Sequence, residues 1–412
     1  MNQILSRPWL LPLVIAPLII VFFLTPPNLR AHQRPAVADF AAPMSARDEQ
    51  VIVRSAQNSE AQTRAAILRT DVTPPGNLPS VQTVFFAQTN HHLSNRAGFL
   101  EFWQAHGSVF VFGYPISEET VEDGRVVQYF ERARFEYHPE QPDAAHRVQL
   151  SLLGNQLTAG RVFEPGAPEN GEMYFSETGH TLSGKFKNFW LKRGGLRVFG
   201  FPISEPLEEV SPVDGQTYMV QYFERARFEY HASAMPEFYR WHEQAYGLQL
   251  AALHEIQLGD LGRQAAQQKG LSVSESRQLV GVPLWSPMIW QRRIEVNIST
   301  QHLTAYEGEV QVYSAPVATG KDGFNTPVGT FAIYSKTPMQ TMIGSGGGET
   351  WNVPNIPWVQ YIVGGVAFHG TYWHDLWGSG VRMSHGCINL NIDDAQWLYE
   401  WADIGTEVVI HY

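Results

Sequence analysis

The sequence predicts a mainly β protein: two duplicated α+β modules, then a carboxyl-terminal β-sandwich or flattened barrel with one or two short helices, behind an apolar amino-terminal segment. Three observations predict it. The stretch VQYFERARFEYH stands unchanged at residues 127–138 and 220–231, the mark of a repeated unit. From residue 294 onward, apolar and polar residues alternate in short runs bounded by Gly, Pro and Asn, the period of half-buried strands. The amino end, by contrast, carries an unbroken apolar run without any period.

That end reads MNQILSRPWLLPLVIAPLIIVFFLTPP, with Arg7 ahead of the apolar residues 9–24. A spanning helix needs about 20 apolar residues and a signal-peptide core roughly 7–15. Residues 1–33 therefore read as an export element, either a signal anchor holding a membrane or, with Ala36-Val37-Ala38 as cleavage site, a signal peptide. Pro12 and Pro17 suit no amphipathic helix of a soluble core. The expected location is extracytoplasmic, in the cell envelope. Residues 34–80, rich in Ala, Pro, Gln and Ser, read as a disordered tether with a helical patch around residues 50–68. A chain of 412 residues implies two to four folded units. Its net charge of −11, with no basic stripe, excludes nucleic acid as a partner.

The modules are read at residues 84–161 and 173–269. FAQTNHHLS from Phe86 answers FSETGHTLS from Phe175, FLEFW from Phe99 answers FKNFW from Phe186, and VFGYPISE from Val111 answers VFGFPISE from Val198. VQLSLLGNQ from Val148 matches IQLGDLGRQ from Ile256. Each copy predicts a short aromatic helix (99–106; 186–193), a Gly-Tyr/Phe-Pro turn, and two or three strands through the repeated stretch. In QYFERARFEYH, Tyr129, Glu131, Ala133, Phe135 and Tyr137 share one face, and both faces are mixed. The FGFP turn is similar to the LGFP repeat of some cell-wall-associated bacterial proteins. Two uses compete: spacers whose aromatics fill small cores, or binders of wall polysaccharide that stack Trp103, Trp190 and tyrosines on sugar rings. His91 and His180 hold equivalent positions without metal-ligand spacing and read as structural.

In residues 294–412, IEVNISTQHLTAYEGEVQVY breaks at Glu307-Gly308 as a hairpin does, NTPVGTFAIYSK adds a strand after a Pro-Gly turn, and a further strand runs over 361–369. DDAQWLYEWADIG has helical spacing, with Asp393 and Asp394 at its start and Gly405 at its stop, and GTEVVIHY closes the domain. Residues 335–358, long and glycine-rich, read as a loop of lid type.

The single cysteine, Cys387, sits in RMSHGCINL. One cysteine makes no internal bridge, so in an exported chain it is either inert or kept for its chemistry. Attack on an amide needs the thiolate, and a thiol with pKa about 8.5 needs a base to supply it at neutral pH. His369, at the end of its strand, is the candidate base. His385 ranks second, because residues two apart on an extended strand aim their side chains in parallel. A zinc site from His369, His374, His385 and Cys387, with Asp375 nearby, lacks ordered ligand spacing, so no metal is expected.

FHG at 368–370 followed by SHGCIN at 384–389 resembles the signature of the YkuD-type L,D-transpeptidases, and the likeness extends over 294–412, including Thr326, Pro327, Gly329 and Phe331 of the family's Thr-Pro-x-Gly-x-Phe turn. The resemblance implies Cys387 as nucleophile, His369 as base, and the Gly370 carbonyl as the acceptor that orients the imidazole. The N–H groups of Gly386 and Cys387 are the expected oxyanion donors. Ser384 and His385 would line the groove, and Asn389 would hold the loop or touch substrate. Trp373, His374 and Tyr361 would shape the groove walls, with Arg382 meeting a carboxylate of the peptide stem. Implied overall is peptidoglycan L,D-transpeptidation on stem peptides, forming 3→3 cross-links through a cysteine thioester without a cofactor. L,D-carboxypeptidation, attachment of a protein to the wall, and a silent wall-binding scaffold are the alternatives.

Overall fold

The computed structural model describes residues 82–412 apart from 170, 212–213, 235–236, 248–251 and 272–274. The export element and the tether lie outside the described residues. Among the described residues, no helix is long and apolar enough to cross a membrane.

The chain opens with a hairpin of β1 (Thr83–Phe86) and β2 (His91–Ser94), helices α1 (Phe99–Ala105) and α2 (Ser108–Phe112), and an antiparallel sheet of β3 (Thr120–Glu122), β4 (Arg125–Tyr129), β5 (Arg134–Tyr137) and β6 (Val148–Leu150). Helix α3 (Leu153–Leu157) follows. The order then recurs: hairpin β7 (Met173–Phe175) and β8 (His180–Leu182), helices α4 (Gly184–Lys192) and α5 (Gly195–Phe199), and strands β9 (Leu207–Val210), β10 (Thr217–Tyr222) and β11 (Arg227–Tyr230). Helix α6 (Glu237–Tyr246) precedes β12 (Ile256–Leu258), which completes the sheet ahead of α7 (Leu261–Gln268).

The same letters give the same structure. Val127, Gln128 and Tyr129 pair with Glu136, Phe135 and Arg134, and Val220, Gln221 and Tyr222 pair with Glu229, Phe228 and Arg227. The repeated stretch folds back between Tyr129 and Arg134 as a hairpin, so the single alternating face expected from Tyr129 to Tyr137 does not form, and the amide nitrogen of each buried glutamine is satisfied by main chain. Gln128 Nε2 donates to His92 O and Ser117 O at 2.7 and 2.9 Å, and Gln221 Nε2 to Thr181 O and Ser204 O at 2.8 and 2.9 Å. Trp103 and Trp190 are buried, each indole N–H donating at 3.0 Å to the carbonyl of Gly113 or Gly200. Their rings fill cores, so the stacking surface expected of them is not exposed.

The carboxyl half contains β13 (Arg292–Asn297), β14 (His302–Glu307), β15 (Val310–Pro316), β16 (Gly329–Ala332), β17 (Ser335–Gly346), β18 (Glu349–Val363), β19 (Val366–Thr371), β20 (Ile388–Asn391), α8 (Ile392–Trp401) and β21 (Glu407–His411). They form one sheet in the order β15-β14-β13-β21-β16 and a second in the order β17-β18-β19-β20. The sheets meet through single bridges, Ala318 to Asn389 and Gly320 to Ser384, without joining into a closed barrel, which removes that part of the expected architecture. Between them lies a core of Ile294, Val296 and Leu303 from one sheet, Ile362, Phe368, Ile388 and Leu390 from the other, and Ala395 and Leu398 from α8. Two further expectations are revised. Residues 335–358 are the arms of a long hairpin, not a loop, and the strand expected over 361–369 is interrupted by a turn at Gly364-Gly365.

Side chains tie the two halves together at α8. Lys192 at the end of α4 donates to Asn391 Oδ1 at 3.2 Å and pairs with Asp393 and Asp394 at 2.9 and 3.4 Å. Tyr239 of α6 donates its hydroxyl to Gln396 Oε1 at 2.6 Å, and Leu253 N donates to the same oxygen at 2.8 Å. Gln104 of α1 donates to Glu307 O at 2.9 Å.

Candidate active site

The site is built on two parallel neighbours. In the β19–β20 pairing, Phe368 faces Ile388, His369 faces Asn389 and Gly370 faces Leu390. Side chains alternate along a strand, so Ala367 and His369 share a face of β19, and Cys387 packs in the cluster that contains Ala367. Parallel pairing therefore brings two residues far apart in sequence onto one face.

His369 is buried and donates from Nδ1 to the Gly370 carbonyl oxygen at 3.1 Å. That bond fixes the tautomer and leaves the lone pair on Nε2. Burial depresses the imidazole pKa to about 4, the neighbouring His374 adds to the depression, and the Gly370 carbonyl opposes it. The Cys387 thiol donates to Gly365 O at 3.7 Å. Desolvation pushes its pKa up to about 11, partly offset by the Ala367 main chain. Both groups are thus neutral at pH 7. Cys387 packs with Tyr361 and Trp373 in a cluster that includes Ile356, Val359 and Ala367. The Trp373 ring lies 5.9 Å from that of His369, and burial together with Cys387 raises Tyr361 to about 12.

The loop before the thiol is held by hydroxyl groups. Ser384 Oγ accepts from Gly386 N at 3.2 Å and donates to Cys387 O at 2.5 Å, closing a tight turn with Gly386 at φ +112°. An L side chain rarely adopts that φ, which explains glycine there. Ser384 is buried and clamps the turn instead of lining a groove. Because the Gly386 N–H is already engaged, the Cys387 N–H is the remaining donor of the pair expected from sequence. Thr326 Oγ1 donates to Gly386 O and accepts from Gly320 N, both at 2.8 Å. The sequence motif places Thr326 only in a turn.

Four other expected site residues are committed elsewhere. His385 Nε2 bonds Glu349 Oε2 at 2.9 Å, and its ring stacks on Trp351 at 4.1 Å with Phe324 edge-on at 4.8 Å, which commits that nitrogen to the carboxylate. Arg382 donates from Nε to Gly320 O at 2.7 Å and from its terminal nitrogens to Asn325 and Asp322 at 2.5 and 3.4 Å, so its fork pins the 320–325 loop rather than awaiting a substrate carboxylate. His374 accepts from Leu376 N at 3.2 Å, and its Nε2 lies 3.1 Å from the Asn389 amide. Both side chains are buried and bond each other, which ties the loop of His374 to β20. Burial lowers His374 to about 4, with Asp375 opposing.

Residues 291–410 match the family model of the YkuD L,D-transpeptidase catalytic domain. The chain is 32% identical over 102 residues to the probable L,D-transpeptidase 3 of Mycobacterium tuberculosis, covering 23% of this chain and 37% of that one. It is 29% identical over 140 residues to the putative L,D-transpeptidase YciB of Bacillus subtilis, covering 30% and 69%. A solved L,D-transpeptidase from Mycobacterium smegmatis aligns with a TM-score of 0.28 at 18% identity, covering 45% of this chain and 91% of that chain. The chain spans 37% of the length of the first of these relatives. What surrounds Cys387 between residues 291 and 410 is accordingly an L,D-transpeptidase catalytic domain of the YkuD family.

Proposed function

We propose that the protein is a peptidoglycan L,D-transpeptidase that forms 3→3 cross-links through a thioester on Cys387. The observation that carries this reading is the Nδ1 bond of His369 to Gly370 O, which leaves an acceptor nitrogen on the strand face shared with the only thiol. The thiol and imidazole pKa values, about 11 and about 4, favour the neutral pair over the ion pair in the free protein. Proton transfer therefore accompanies attack rather than preceding it. As the sulfur bonds the carbonyl carbon of the third stem residue, its proton passes to His369 Nε2, and the Gly370 carbonyl supports the imidazolium. The carbonyl oxygen becomes an oxyanion that the Cys387 N–H is placed to receive. Collapse expels the terminal D-Ala amine, which takes the proton from His369, and a thioester remains. An amine from a second stem attacks that thioester, gives up a proton to the imidazole, and releases the thiol.

Tyr361 and Trp373 flank the sulfur and are the walls against which a stem peptide would lie. Such a substrate places the protein in the cell envelope, with residues 1–33 as the export element. By resemblance to the family, a carbapenem is expected to acylate Cys387. Mass spectrometry of purified muropeptides incubated with wild type and Cys387→Ala tests the reading. Dimers linked between third residues are expected with wild type alone. Trimmed tripeptides without dimers would make the enzyme a carboxypeptidase, and an unchanged pattern in both would leave the domain silent.

A further inference from the structure

The duplicated halves differ in one respect that their sequences conceal. In the first half, the chain beyond α7 returns along the outer edge of β1. Phe85 N donates to Pro283 O at 3.0 Å, and Trp285 N donates to Phe85 O at 2.8 Å. The Trp285 indole then stacks on Phe86 at 5.2 Å and meets Trp103 and Tyr114 edge-on at 5.9 and 5.8 Å. An extended proline-flanked segment thus adds a strand and plugs an aromatic slot. Phe85 and Phe86 are left 6% and 0% exposed.

The second half has the same slot. Phe175 stands for Phe86, Trp190 for Trp103 and Phe201 for Tyr114, with Phe175 edge-on to Trp190 at 5.7 Å and to Phe201 at 5.6 Å. Even the first contact of the returning chain is reproduced. Ser276 N donates to Asn90 O at 2.9 Å in one half, and Gly166 N to Gly179 O at 3.0 Å in the other. There the likeness ends, because β7 itself begins only seven residues after Gly166. Tyr174, the counterpart of Phe85, is 47% exposed, and Phe175 is half-buried. Tyr174 pairs with Thr181 as Phe85 pairs with His92, so its N–H and C=O point outward. No described residue bonds them.

We propose that the outer edge of β7 is a docking site for a partner protein, which supplies an extended, proline-flanked segment carrying a tryptophan. Its main chain pairs with Tyr174 and its indole covers the half-buried ring of Phe175 beside Phe201, meeting only the edge of Trp190, as Pro283 to Trp285 do beside β1. This is strand addition, in which the edge gives affinity and the pocket gives specificity. The occupied first slot is the interface already present in the molecule that specifies the occupant's chemistry. A partner polypeptide is favoured over a second copy of this chain, whose own segment is spent on its own β1.

The test uses the full chain and a fluorescein-labelled peptide of sequence GVPLWSP, read by anisotropy. Saturable binding is expected. Replacing the peptide tryptophan by alanine should weaken it by at least about tenfold, as truncation of a buried anchor does. Tyr174→Pro should weaken it similarly, since proline removes the outward N–H and no hydrogen bond to β8. Tyr174→Ala keeps that N–H and should retain binding, which preserves the test if the proline variant misfolds. Absence of saturable binding, equal binding by the alanine peptide, or equal binding by a folded Tyr174→Pro variant overturns the proposal. So do displacement of the peptide by a chitooligosaccharide, which assigns the slot to glycan, and dimerisation that Tyr174→Pro abolishes, which assigns it to a second copy. None of these outcomes depends on transpeptidase activity.

Discussion

Cys387 and His369 set their reactivity by burial, and burial makes two predictions at this scale. A thiol with pKa about 11 is only about one part in ten thousand thiolate at pH 7. Inactivation by iodoacetamide should therefore accelerate roughly tenfold per pH unit up to about pH 11. A plateau between pH 5 and 8 would show a preformed ion pair instead. The imidazoles of His369 and His374 have folded pKa values of about 4, below the unfolded 6.5, so the unfolded chain binds more protons between those values. Their stabilisation is complete above pH 6.5 and is lost as pH falls towards 4, on the order of 3 kcal/mol per ring at full effect. His106, lowered chiefly by burial, acts in the same sense, and His254, raised by Glu400, opposes it. The urea midpoint should fall steadily from pH 7 to 4.5; a flat profile would contradict the burial of these rings. Cys387, His369 and Gly370 could be named from the sequence because FHG and SHGCIN resemble a family signature that carries their roles with it. The partners of Arg382 and His385 were not, because Gly320, Asn325 and Glu349 come near only after the strands have paired.

The element that sequence reading missed is the hairpin of β17 and β18. Its outer part has no buried face: β17 alternates between half-buried and exposed residues and shifts register between Gln340 and Met342, so the apolar period that betrays a strand is absent. What holds its tip is tertiary. Glu349 bonds Lys321 Nζ at 2.6 and 2.8 Å as well as His385, while Trp351 stacks on His385 and Gly346 and Gly347 lie against the Phe324 ring. The tip is therefore latched to the residue two before the thiol. Glu349→Gln should raise amide exchange over residues 340–352 several-fold while leaving β19 and β20 protected. Unchanged exchange would place the hold in the rings alone. Helix α8, by contrast, was legible from its spacing and its acidic start, and its cap is now evident: Asn391 Oδ1 accepts from Asp394 N at 2.9 Å. Asn391→Ala should cost about 1 kcal/mol in urea denaturation through the lost cap.

Across the whole molecule, the duplicated half behaves as a brace for the transpeptidase domain, not as beads on a tether. Arg193 lies over both Phe110 and Tyr313, at 5.7 and 5.3 Å, and His254 pairs with Glu400 at 2.8 Å, so several elements of the first half converge on α8 and the sheet beside it. No local pattern announces such contacts, since each joins residues more than eighty positions apart. Lys192 is the most exacting of them. It is itself half-buried and neutralises Asp393 and Asp394, which are 7% and 4% exposed, at the first turn of the helix that follows β20. The helix N-terminus favours those carboxylates, but removal of the lysine leaves two buried charges without their cation, and losing one partner of a buried pair costs about 3 kcal/mol or more. Lys192→Met keeps the apolar stem and deletes only the charge. Because the brace and the catalytic sheets share this contact, the full chain should melt in one calorimetric transition, and Lys192→Met should lower it for both halves together or split it in two. A wild type that melts in two separate transitions, or a variant indistinguishable from it, would mean that the halves touch without supporting each other.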